Sequence, residues 1–293
     1  MQIRGDAVEI VNETPFEAAL RRTYEIGLQR GAKWTMTLDA DVLLREGAVA
    51  ELVAEAERLP QHFAQIEGLV HDKLTGLFRK AGHRIYRTRL LTKALEALPP
   101  SGSQVRPEWT TLQRMEEWGF PSREVSLVVG IHDHEQYYRD VYRKAFVHAN
   151  KHQVWLADIV SRCKSLRCTD DDFRIALRGL YDGLMSTNQV TIDAQAYSSN
   201  AQAAIRDLGL REKSAPERDI ASFSYVARVL EDTGVPPRAG DNLRPVVSRL
   251  RTHHARCGTL RLIPLLIGAG LCRLGTALKA VSERSRNPTA CGD

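Results

Sequence analysis

Two short groups of residues in this 293-residue chain are of the types that do chemistry. The first is Asp39 and Asp41, in TMTLDADVLL, at the mouth of an apolar run. Side chains two apart in a strand project to one face, and at a strand-to-loop junction both carboxylates can reach one divalent cation that also holds a diphosphate. Hard oxygen ligands of this kind suit Mg²⁺ or Mn²⁺. The purely structural alternative is that Asp39 ends the strand and Asp41 caps the following turn. The second group is His132, Asp133, His134 and Glu135, in SLVVGIHDHEQYYRD, where an apolar strand and Gly130 lead into the expected start of a helix. Here the structural alternative is that Asp133 caps that helix and the histidines are ordinary polar neighbours.

These groups need elements to position them. AVEIV at 7–11 has strand character, and Thr14 is a plausible cap for a helix over PFEAALRRTYEIGLQRG, with apolar residues Phe16, Leu20, Tyr24 and Leu28 in steps of four and Gly31 as its stop. A strand begins near Lys33, so the opening reads β-α-β. EGAVAELVAEAERLP predicts a second helix and HFAQIEGLVHD another strand; Arg84–Thr88 is a candidate strand, Leu90–Leu98 a helix and PPSGSQ a loop. From Glu135 the long EQYYRDVYRKAFVHANKHQVWLADIVSRC has helical periodicity with no Gly or Pro, and TDDDFRIALRGLYDGLM starts another helix, its acids suiting a capped N-terminus. His148 and His152 are spaced i, i+4, but HANKH lacks the glutamate of a helical zinc motif and reads as a solvated face.

The block VNETPFEAALRRTYEIGLQRGAKWTMTLDADVLLREGAV resembles the central block of nucleotide-sugar glycosyltransferases of the GT-A fold, especially glycosyltransferase family 2, in which a helix leads into a strand ending in Asp-x-Asp. The resemblance spans roughly residues 7–145. It implies an α/β, Rossmann-like mixed sheet flanked by helices, followed by a mostly helical C-terminal region. It also implies Asp39 near the nucleotide ribose and metal, and Asp41 on the metal bridging the donor's diphosphate, with Arg21 and Arg22 near the donor phosphates. Asp133 and Glu135 are the implied bases that deprotonate an acceptor hydroxyl. His132 or His134 would complete the metal site, so Asp39, Asp41, His132 and His134 are the candidate ligands for Mn²⁺ or Mg²⁺. The family places about two further β-α units ahead of this block, and only residues 1–13 precede the first predicted helix here.

Composition bounds these expectations. With 43% hydrophobic residues the chain can bury a sizeable core, and a formal charge of +5 suits phosphate-bearing ligands, an anionic membrane surface or nucleic acid without choosing among them. Nucleic acid ranks last, since it rests on charge alone. Five cysteines without a CxxC pair indicate neither a disulfide framework nor a zinc site. MQIRGDAVEI lacks the apolar core of a signal peptide, and no apolar run is long enough to span a bilayer. The expected organisation is a GT-A-like core at 1–145, a helical region at 146–235, and a basic, apolar segment at 236–293 suited to the membrane interface. The expected function is metal-dependent transfer of a sugar from a nucleotide-sugar donor to a glycan or lipid-linked acceptor, in the cytoplasm or at the inner membrane face. The alternative is a non-catalytic scaffold that binds a partner.

Overall fold

The computed structural model describes residues 8–151, 155–187, 190–193, 195–215 and 222–234. Residues 8–11 form no strand: Val8 and Ile10 are 56% and 83% exposed, so apolar alternation there meets neither a pairing edge nor a core. Helix α1 (Phe16–Arg30) buries Leu20, Tyr24 and Gly27, and it ends at Gly31, whose φ of 63° suits glycine. Pro15 rather than Thr14 is its cap residue, and no side chain caps it.

Strand β1 (Trp34–Leu38) and strand β2 (Val42–Leu44) are separated by Asp39, Ala40 and Asp41. Helix α2 (Ala48–Glu57), strand β3 (Gln65–Asp72), the short β4 (Phe78–Arg79) and β5 (His83–Arg87) follow. Next come α3 (Leu91–Ala97), α4 (Pro107–Glu117) and the long β6 (Ser122–His132). The sheet order is β1-β5-β3-β6-β2, with β4 beside β3; β3 and β6 run parallel and the other pairs antiparallel. The fold is therefore mixed α/β.

Alternation along the strands feeds cores on both faces. Tyr86 packs with Leu20 and Tyr24 of α1, Leu91 of α3 and Met115 of α4, whereas its neighbour Ile85 packs with Leu52 of α2, Ile66, Val70 and Val129. Each fully buried Leu or Ile among them contributes about 1.5–3 kcal/mol.

A helical layer follows: α5 (Tyr138–Lys151), α6 (Leu156–Leu166), α7 (Asp171–Met185), α8 (Ser198–Asp207) and α9 (Phe223–Glu231). The uninterrupted periodicity from Glu135 thus resolves into separate helices, α5 and α6. Tyr142 and Phe146 of α5 pack against Ile175 and Leu180 of α7 and Ala204 of α8. The two main helices cross closely because Gly179 and Gly183 face the carbonyls of Tyr142 and Phe146. Asp170 caps α7, its side chain accepting a hydrogen bond from the Asp172 amide. The chain divides into units Met1–Ala239 and Gly240–Asp293; the second lies outside the described residues, as does the expected membrane-interface segment at 236–293. No helix among the described residues is long and apolar enough to cross a membrane.

Candidate metal and anion site

The link from β1 to β2 sets the site's shape. These strands are opposite edges of the sheet, and four inter-strand gaps of about 4.8 Å would hold flat edges roughly 19 Å apart. Four Cα–Cα steps from Leu38 to Val42 reach at most about 14 Å when fully extended. The sheet must therefore curl at this end, and Asp39–Asp41 lie where its edges approach. Gly82 takes part: the Asp39 amide donates to its carbonyl at 2.7 Å, and a Cβ on Gly82 would sit 2.5 Å from Val42.

The β2–β6 register then brings the two sequence clusters together. Val42 pairs with His132 and Leu44 with Gly130, so one step beyond the ladder Asp41 meets Asp133, whose amide donates to the Asp41 carbonyl at 3.2 Å. Gly130 permits this, since a Cβ there would run into the Leu43 carbonyl. His132 is the last residue of β6, and Asp133 turns the chain in the left-handed region at φ 64°, a conformation tolerated by Asp but costing roughly 1 kcal/mol or more. The cluster does not head a helix, because α5 begins only at Tyr138. Asp133 therefore turns the chain and caps nothing.

Asp41, His132 and Asp133 each offer one ligand atom, all within 4.8 Å of one another. The His132 ring lies at 3.5 Å from Asp41 Oδ1 through Nε2 and at 2.9 Å from Asp72 Oδ2 through Nδ1. Asp133 Oδ2 is 3.1 Å from Nδ1 but forms no well-aligned hydrogen bond, and Asp41 Oδ1 is likewise buried without one. Lys144 of α5 donates to both Asp41 Oδ2 and Asp133 Oδ1, and to Gln136 Oε1 at 3.1 Å. Arg79 grips Asp72 through Nε at 2.8 Å and through Nη2.

Burial would raise the Asp133 carboxyl, but Lys144 and His132 hold it well below the usual range. Asp72 is lowered in the same way against its burial by Arg79 and His132. Burial would lower His132, yet Asp133 and Asp72 raise it to about 9.

Asp39 and His134 stand outside this group. His134 Nε2 lies 3.3 Å from His71 Nδ1, and burial together with His71 and Lys73 pushes it down to about 3. Asp39 is exposed at its surface, yet desolvation by the protein around it, then the charges of Glu108 and Asp41, push its carboxyl up to about 6. Cations lie within electrostatic reach, Lys151 of Asp39 and Arg106 of Lys151. Lys151, at the end of α5, is brought down to about 8 by burial and by Arg106 and Arg79, while Glu108 and Asp39 act in the opposite sense. Arg106 lies over the Trp109 ring at 5.1 Å and is lowered by burial, Arg84 and Arg79. Neither Lys151 nor Arg106 forms an ion pair among the described residues.

Of the other sequence candidates, Glu135 is half-buried and accepts the Tyr225 hydroxyl at 2.9 Å. Arg21 and Arg22 are on the exposed face of α1, Arg22 at 3.8 Å from Glu13. His148 lies on α5 and His152 is outside the described residues. Sequence reading missed Asp72, Arg79, Lys144, Arg106 and Lys151. One signal was available: His-Asp recurs at the ends of the parallel strands β3 and β6, as His71-Asp72 closing β3 and as His132, the last residue of β6, followed by Asp133, and Asp72 pairs beside His132. The chain matches no protein-family model, no curated protein and no solved structure.

Proposed function

We propose that this chain is a glycosyltransferase of GT-A type, in which Asp41, His132 and Asp133 hold a divalent cation and the cations Lys151 and Arg106 take the diphosphate of a nucleotide-sugar donor. The observation that carries the reading is the convergence within 4.8 Å of one ligand atom from each of those three residues, whose Asp41 Oδ1 and Asp133 Oδ2 are buried and accept no hydrogen bond. Such oxygens favour a nearby positive charge, which the His132 ring supplies where no metal is bound and which a hard cation such as Mn²⁺ or Mg²⁺ fits in its place. Bound there, the cation would neutralise the charge that develops on the leaving diphosphate.

The protein's own groups do the remaining work. Asp72, gripped by Arg79, accepts from His132 Nδ1 and so orients Nε2 toward Asp41 and the proposed cation. Lys151 and Arg106, with no carboxylate of their own among the described residues, are donors for phosphate oxygens. Glu135 is better suited than the ion-paired Asp133 to take the acceptor hydroxyl's proton. As it does so, the acceptor oxygen bonds to the anomeric carbon and the bond from that carbon to the diphosphate breaks. The acceptor, a glycan or a lipid-linked sugar, is expected to enter from the Glu135 side.

Isothermal titration of the full chain with Mn²⁺ and a panel of nucleoside diphosphates tests this. Metal-dependent binding of one nucleotide to the wild type, weakened at least a hundredfold in Asp41→Ala, is the expected result. A folded protein that binds neither metal nor nucleotide would favour a non-catalytic, partner-binding scaffold. That second reading has its own support, since Lys144 already neutralises part of the carboxylate charge without a metal.

A further inference from the structure

The ammonium of Lys144 is a cation that two of the three proposed metal ligands already hold, through Asp41 Oδ2 and Asp133 Oδ1. It donates to Asp41, to Asp133 and, at 3.1 Å, to Gln136, so its three N–H groups meet three oxygen acceptors. The Lys144 side chain is 13% exposed and that of Asp133 2%, so water does little to screen these pairs. Two of the three proposed metal ligands are thus already committed to an internal cation. We infer that Lys144 is an intramolecular competitor for the divalent cation: ammonium and metal use the same two carboxylates, and the metal enters only as Lys144 withdraws. This rests on the metal-binding reading above.

Charge balance points the same way. With His132 a neutral ligand, its extra proton displaced by the metal, the carboxylates of Asp41, Asp72 and Asp133 are matched by one divalent cation and the Arg79 guanidinium, with no negative charge left for Lys144. Arg79 is tied to Asp72 by two hydrogen bonds in a fixed fork, whereas Lys144 is a point charge on a flexible four-carbon stem. Lys144 is therefore the cation free to leave. It lies on α5, whose backbone is locked against α7, so the exchange is expected as a swing of one side chain with the helix unmoved.

The test is Mn²⁺ titration of the full-length wild type, Lys144→Met and Lys144→Gln, with thermal melting in EDTA and in Mn²⁺. Removing the competitor is expected to tighten Mn²⁺ binding at least tenfold. In EDTA the melting temperature should fall, because two carboxylates lose their counter-charge, and Mn²⁺ should raise it more than in the wild type. Lys144→Gln retains an N–H donor to the carboxylates and covers the case in which the Met variant does not fold. Binding at the wild-type Kd in both variants would overturn the competition and leave the metal site standing. Absence of Mn²⁺ binding in all three proteins would overturn the metal reading itself, and the competition with it.

Discussion

The most informative single side chain is Asp39, because it is both open to ligand and energetically uncomfortable. Its carboxyl is raised to about 6 by desolvation, Glu108 and Asp41, against an ordinary value near 3.8. The folded state therefore prefers the protonated acid. Below about pH 3.8 both folded and unfolded forms are protonated and nothing is lost; between there and about pH 6 the unfolded chain releases its proton first, and stability falls as pH rises. Asp39→Asn removes that penalty. At pH 7 the variant is expected to melt higher than the wild type, with the gain vanishing below about pH 4. Because Asp39 retains open surface, solvent screening keeps the effect modest, on the order of 1 kcal/mol. Thermal melts at the two pH values check it, and an Asn variant less stable at pH 7 would show that the carboxylate has a stabilising partner. A destabilising carboxylate retained beside other charged groups is the pattern of a functional site.

At the scale of elements, the site depends on the β2–β6 pairing, and that pairing depends on Gly130. A methyl group there would collide with the Leu43 carbonyl, and neither backbone can yield without opening the ladder that sets Asp41 against Asp133. Gly130→Ala is expected to cost about 1–3 kcal/mol and to weaken Mn²⁺ binding at least tenfold; unchanged binding would mean that this register does not set the site. The helices expected within 15–31 and 169–185 formed, as α1 and α7, because their signals are local: apolar steps of three and four, a glycine stop, an aspartate cap. The strand at Gln65–Asp72 was legible for the same reason. The strand expected at residues 7–11 was not formed over its described part, since a strand depends on an edge that apolar alternation cannot reveal. Lys144 was illegible too: it stands 103 residues from Asp41, within a helix whose periodicity explains its presence fully. Clusters at strand ends can be read from sequence, but the counter-charges that meet them come from tertiary packing.

Across the unit Met1–Ala239, the sheet and the helical layer need a joint, and Asp172 supplies one. It is fully buried in the first turn of α7, where one carboxylate meets Lys73 from the β3–β4 turn and Lys213 from beyond α8, the latter at 2.5 Å. Neighbouring bonds reinforce it: the Tyr138 and Arg139 amides, at the start of α5, donate to Glu212 at 2.7 and 3.2 Å. A buried ion pair adds little over a well-packed apolar substitute, because desolvation offsets attraction. Breaking one side is different, since it strands the partner charges. Asp172→Ala leaves Lys213 without this carboxylate and Lys73 with Asp170 alone, at 2.9 Å, and removes a first-turn acid from α7, so it is expected to lower unfolding free energy by about 3 kcal/mol. The site should feel this as well, because α5 carries Lys144 and packs against α7. Urea denaturation followed by circular dichroism gives the loss, and amide exchange shows where it falls, with protection expected to drop in α7 and α5 before β3 and β6. A loss below about 1 kcal/mol would identify the bridge as a screened surface pair and leave the apolar core among α5, α7 and α8 to hold the layers unaided.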